Sequence, residues 1–226
     1  MQEIFNLDKI FDTFNYIFWF FVLNFFFMLF NIPVILFFLF VGISNLFNYF
    51  PLFLVCLIPT VPAFTILLYC MGKLMRTKNL EPINDFVKGF KLNFKQAIIL
   101  WSFELLLIFA LYSNIRFFTN VMHNTILTCL FAALLILLIA VTPFIYILMS
   151  RFSMKSLPII RSAFVLAFTR PLLTISNILL FAVSLVIFEI IPGTSILFIV
   201  SIFAFLLVFA NRQLLAELEQ QSKATN

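Results

Sequence analysis

Long apolar runs separated by short polar breaks dominate this chain, and a run of about 20 such residues is enough to cross a hydrocarbon core as a helix. The runs predict six spans, over residues 16–41, 50–71, 97–111, 126–149, 172–191 and 194–210. Pro33 lies in the middle of the first span, Pro59 and Pro62 interrupt the second, and Pro143 falls near the end of the fourth. Each proline removes a backbone hydrogen bond, so tilts or kinks are expected there. The Asn-rich break Ser44-Asn45-Leu46-Phe47-Asn48 separates the first two spans, and Pro192-Gly193 makes a tight hairpin between the last two.

Three further segments carry helical periodicity with a polar side. At 3–14, Ile4, Leu7, Phe11 and Phe14 fall on one face and Glu3, Asp8 and Asp12 on the other. At 82–95, Phe86, Phe90 and Phe94 oppose Lys88, Lys91 and Lys95, and at 158–169 a Phe- and Ala-rich face is bounded by Arg161 and Arg170. Such helices suit the membrane surface, with the second lying along the inner leaflet before turning into the third span. The expected fold class is therefore all-α, a polytopic membrane helical bundle of about six transmembrane helices with interfacial helices, forming one integral membrane domain over 1–226.

Composition strengthens this reading: 64% of the residues are hydrophobic and 10% charged, and the mean hydropathy is +1.18. A water-soluble globule, a disordered chain and a disulfide framework are all excluded by these values together with only 3 Cys. The 14 Lys and Arg concentrate in two connections. One holds Lys73, Arg76, Lys78, Lys88, Lys91 and Lys95, the other Arg151, Lys155, Arg161 and Arg170, whereas the segment after the third span has only Arg116. The positive-inside bias puts both basic connections and both termini in the cytoplasm. The first residues match no removable signal peptide. The net charge of +5 reflects topology and anionic headgroups rather than nucleic acid, since no soluble domain carries it.

Phe90-Lys91-Leu92-Asn93-Phe94 and Phe164-Val165-Leu166-Ala167-Phe168 share an F-x-L-x-F pattern, each after a proline-containing span and a basic turn. This suggests a diverged parallel repeat of spans two and three with spans four and five. The run from Ile58-Pro59-Thr60-Val61-Pro62-Ala63-Phe64 through Gly72-Lys73-Leu74-Met75-Arg76 to Asp85-Phe86-Val87-Lys88-Gly89-Phe90-Lys91-Leu92-Asn93-Phe94-Lys95-Gln96-Ala97 and Trp101 resembles the YesL-like family of bacterial multi-pass membrane proteins. Thr142-Pro143-Phe144 and the 163–168 block resemble that family's second signature, so the likeness covers roughly 15–180. Pro59-Thr60-Val61-Pro62-Ala63 departs from the family's usual T-I-G-P-A by lacking its glycine. The resemblance implies a bacterial cell-membrane protein often found beside carbohydrate-uptake systems, of unknown function, and supplies no catalytic residues.

Candidate chemistry is sparse. His123 is the single histidine, and Cys56, Cys70 and Cys129 are scattered without metal-ligand spacing. No serine sits in G-x-S-x-G and no glycine pattern cradles phosphate, so no enzyme, cofactor or metal site is expected. The candidate intramembrane polar site is Glu104, near mid-membrane, with Asn24, Asn31, Thr65 or Tyr69 as expected partners. A carboxyl in hydrocarbon requires a partner, a cavity or an interface. Lys88, Lys91, Lys95, Arg161 and Arg170 are the expected contacts to the membrane surface or a partner. The leading functional expectation is a transport-related or accessory component, linked to carbohydrate uptake or another membrane protein. Its alternative is a structural or regulatory scaffold that docks lipid or protein through the basic helices.

Overall fold

In the computed structural model we describe residues 7–224, with side chains at 14–191 and 196–221. The helices are α1 (Leu7–Phe30), α2 (Ile32–Phe40), α3 (Phe50–Cys56), α4 (Thr60–Thr77), α5 (Pro82–Asn120), α6 (Thr125–Arg151), α7 (Ser156–Thr169), α8 (Pro171–Ile190), α9 (Pro192–Ala210) and α10 (Arg212–Ala224), with a 3-10 turn at Ile43–Asn45. The described residues contain no strand. Four segments are long and apolar enough to cross a membrane: Phe50–Thr77, Pro82–Asn120, Thr125–Arg151 and Pro171–Ile190. Two bent pairs, α1–α2 at 63° and α9–α10 at 53°, raise the number to as many as six. Only 6% of the residues in the most apolar stretch of α6 are buried, so its outward surface is hydrocarbon rather than polar. Apolar exposure on that scale fits lipid contact and not water.

The breaks have local causes. α1 stops at Phe30, and Pro33 sits in the first turn of α2, where its missing N–H costs nothing. The bend therefore falls at Asn31 rather than at the proline, and the Asn31 side chain adds a second donor, beside its own backbone amide, on the Phe27 carbonyl. Near Pro59 the chain breaks between α3 and α4, and Trp101 Nε1 donates to the Leu57 carbonyl at 2.8 Å. The Pro192 hairpin is as short as expected, with Ile191 alone joining α8 to α9.

Three expectations need correction. The segment 82–95 is not a separate interfacial helix: α5 runs unbroken for 39 residues, about 58 Å at 1.5 Å per residue. Lys95-Gln96-Ala97 are all good helix formers, so nothing there turns the chain. The corresponding point of the second F-x-L-x-F unit carries Pro171, and there the helix does break, into α7 and α8. Second, the phenylalanine side of this stretch does not face lipid. Phe86 stacks on Phe26 with ring centroids 4.9 Å apart, and Phe30 meets Phe90 and Phe94 at 5.7 and 5.8 Å. Third, the amphipathic segment at 3–14 lies partly outside the described residues, and from Leu7 onward it is the start of α1 with no break. The 158–169 segment does form its own helix, α7, but Ile159, Ala163, Leu166 and Ala167 are buried in the bundle.

The core centres on α4 and α6. Ile66, Leu67, Met71, Phe144, Ile147 and Met149 interlock there, joined by Leu23 of α1, Ile159 of α7 and Leu207 of α9. Gly89 lets α5 approach α4 closely, since a Cβ there would stand 2.9 Å from the Tyr69 ring and 3.0 Å from Ile66. The α4–α5, α6–α7 and α9–α10 connections gather at one end of the bundle, the basic end, leaving Arg116 toward the other.

Candidate functional site

Glu104 lies on the buried face of α5, in register with Leu100, Trp101 and Leu105. It is 4% exposed. The partners expected from the sequence are not the ones it has. Tyr146 of α6 donates to Oε1 at 3.0 Å, and Thr142, one turn earlier, donates to Oε2 at 3.1 Å. Trp101 packs edge-on against Tyr146, with ring centroids 6.3 Å apart. Both carboxyl oxygens are thus engaged by α6, and no cation reaches them among the described ion pairs. The i, i+4 spacing of Thr142 and Tyr146 was legible in the sequence, but nothing there said that this face of α6 meets Glu104.

The other expected partners serve different contacts. Asn24 of α1 donates to the Ile196 carbonyl at 2.7 Å and accepts from the Val200 and Ser201 amides at 3.2 and 3.3 Å. Ile196 and Val200 are ladder partners in α9, so one asparagine clamps a rung of the neighbouring helix. Asn31 accepts from Thr60 at 2.6 Å, and Thr65 bonds back to Val61.

At the basic end, Lys73 of α4 meets both oxygens of Asp85 at 2.6 and 2.8 Å, and Asp85 also accepts from the Glu81 amide. This joins the end of α4 to the start of α5. Lys88, Lys91 and Lys95 are exposed on the outer side of α5, and none has an ion pair among the described residues. Val87 and Leu92 are exposed beside them. Arg161 is likewise exposed on α7. Arg170 is not free: it pairs with Glu217 at 2.7 Å, and Arg151 pairs with Glu219 at 2.5 Å, so α10 is pinned across the basic end. The sequence reading missed α10, although Leu214, Leu215 and Leu218 mark its inner face.

A cavity of about 630 Å³ opens between the α4–α5 hairpin and the α6–α7 connection. Tyr69, Asn93, Gln96, Arg151, Lys155 and Ser156 are among its lining residues, and Glu104 is not. No group of three or more His, Cys, Asp or Glu close enough to hold a metal occurs among the described residues.

The profile of a family described as "Protein of unknown function, DUF624" matches residues 13–115. The chain is similar to that family over α1 to most of α5. This is a little under half of its length, and includes Glu104 but not Thr142 or Tyr146. The match agrees with the sequence resemblance in leading to a family of unknown function. No curated protein and no solved structure matches the chain.

Proposed function

We propose that this chain is a non-enzymatic membrane scaffold whose basic end binds an anionic lipid surface through Lys88, Lys91 and Lys95. The observation that carries the reading is the unpaired cationic side of α5, exposed together with Val87 and Leu92, while its phenylalanine side is taken up by α1. Counting about 20 residues of helix back from the polar stretch at Tyr112-Ser113-Asn114 reaches Leu92, which sets these lysines at headgroup depth. The bundle supports this role over a conduit, because Glu104 is sealed against α6 and does not line the cavity.

Each lysine near an anionic leaflet contributes about 1 kcal/mol. Wild type should therefore melt several degrees higher in nanodiscs containing phosphatidylglycerol than in phosphatidylcholine alone. The triple variant K88Q/K91Q/K95Q should lose that difference. An equal lipid response in both proteins would reject the reading. In this reading the basic end and both termini face the cytoplasm of a bacterial cell membrane, which a reporter fused at Asn226 tests.

A second reading, a transport-related accessory of a carbohydrate-uptake protein, draws on the likeness to the YesL-like family and on the cavity at the basic end. Recovery of such a transporter with the protein from mild detergent would favour it, and recovery of lipid alone would count against it.

A further inference from the structure

The cavity at the basic end is lined by polar groups, several of which have no partner among the described residues. Asn93 lines it, is 8% exposed, and has no hydrogen-bond partner among the described residues. Among the described residues the Tyr69 hydroxyl at its wall likewise has no hydrogen-bond partner. Gln96 donates to the Met154 carbonyl at 3.0 Å and to Ser156 Oγ at 3.2 Å, which fixes the α6–α7 connection and leaves the Ser156 hydrogen free to point into the space. Ser156 opens α7, and no side chain caps that helix. With Pro158 in its first turn, the amides of Ser156 and Leu157 have no intrahelical acceptor, and Ser156 lines the cavity. Lys155 and Ser153, both exposed, stand at the mouth, and Lys155 has no ion pair among the described residues. Arg151 also lines the cavity, its charge shared with Glu219.

We propose that this cavity binds the phosphate group of a phosphorylated ligand. The favoured ligand is an anion, since an uncapped helix start and an exposed lysine border the space. A phosphate fits better than a carboxylate, because the amide of Asn93, the hydroxyls of Tyr69, Ser153 and Ser156, and Lys155 together outnumber what two carboxylate oxygens accept. The volume lies within the range of small-ligand pockets, leaving room for a substituent on the phosphate. Asn93 and Gln96 sit on α5 at the depth of Lys95, the headgroup level inferred above, so a lipid headgroup and a free phosphorylated solute are both able to supply the group. The inference goes beyond the docking reading, because none of Lys88, Lys91 and Lys95 lines the cavity.

The test uses the full chain in phosphatidylcholine nanodiscs, titrated with glycerol 3-phosphate, and in nanodiscs containing phosphatidic acid. Ligand-dependent rise in melting temperature is the readout. A response to glycerol 3-phosphate assigns a soluble source, and a response to phosphatidic acid alone assigns a lipid. In either case Lys155→Gln should weaken binding about tenfold or more, as loss of a charge-assisted hydrogen bond does. Ser153→Ala should weaken it less, and Asn93→Leu should abolish it. Lys155 and Ser153 are exposed, so their variants remain informative if Asn93→Leu fails to fold. K88Q/K91Q/K95Q should bind glycerol 3-phosphate, or respond to phosphatidic acid at the cavity, with Lys155 dependence intact. No response to either ligand, or a response that Lys155→Gln leaves unchanged, would overturn the proposal.

Discussion

Replacing Glu104 separates a carboxyl that holds two helices together from one that must ionise to act. Thr142 Oγ1 lies 3.1 Å from Glu104 Oε2 and 2.8 Å from the Leu138 carbonyl, yet its hydroxyl has one hydrogen for two acceptors. Glutamine at 104 resolves that shortage. Its amide nitrogen donates to Thr142, Thr142 then donates to Leu138, and its amide oxygen still accepts from Tyr146. Glu104→Gln should therefore lie within about 1 kcal/mol of wild type, since every polar atom keeps a partner. Glu104→Leu instead strips the Tyr146 hydroxyl of its acceptor in a buried site, at a cost of about 1–3 kcal/mol. Bonds between membrane helices average near the low end, so about 1–2 kcal/mol is the working figure. For a chain of this size that is a fall of roughly 2–8 °C in melting temperature. Tyr146→Phe alone should cost a similar amount, and adding it to Glu104→Leu should cost little more, because the orphaned hydroxyl is then gone. Thermal unfolding of the four variants in one detergent measures the cycle. If Glu104→Gln were as damaging as Glu104→Leu, or if the two single losses simply added, the hydrogen-bonded clasp described here would be wrong.

Gly89→Ala pits a helix-propensity gain of about 1 kcal/mol against an overpacking cost of about 1–3 kcal/mol, with the new Cβ 2.9 Å from the Tyr69 ring. Net destabilisation is expected in thermal unfolding, and stabilisation would mean that α4 and α5 are less tightly apposed. Asn24→Leu removes the clamp on the Ile196–Val200 rung and should cost about 1–2 kcal/mol, with faster proteolysis near α9 as a second readout. Asp85→Ala loses both the Lys73 pair and the bond from the Glu81 amide, so it should lower stability by about 1–2 kcal/mol, less at high salt. A salt-independent effect would leave the ion pair without weight.

The spans were legible because a continuous apolar run needs no knowledge of its neighbours. Pro192-Gly193 similarly announces a hairpin whatever packs around it. The length of α5 was not legible, because amphipathic periodicity at 82–95 describes two faces without saying what covers the apolar one. Phe26 and Phe30 of α1 cover it, and they lie more than fifty residues away in sequence. The same limit applies to Glu104. Its burial followed from its position in an apolar run, but its partners depended on the rotation of α6, to which an all-apolar surface gives no signal. In the sequence Asn93 is one polar residue in a Phe-Lys pattern, and its lack of a partner exists only once the α6–α7 connection stands opposite.

Native mass spectrometry of the protein released from nanodiscs of mixed phosphatidylcholine and phosphatidylglycerol tests the central claim most directly. Wild type should retain phosphatidylglycerol well above its share of the bilayer, and K88Q/K91Q/K95Q should retain it in proportion to that share. Equal retention by the two proteins would contradict the claim that the basic side of α5 is what engages the anionic surface.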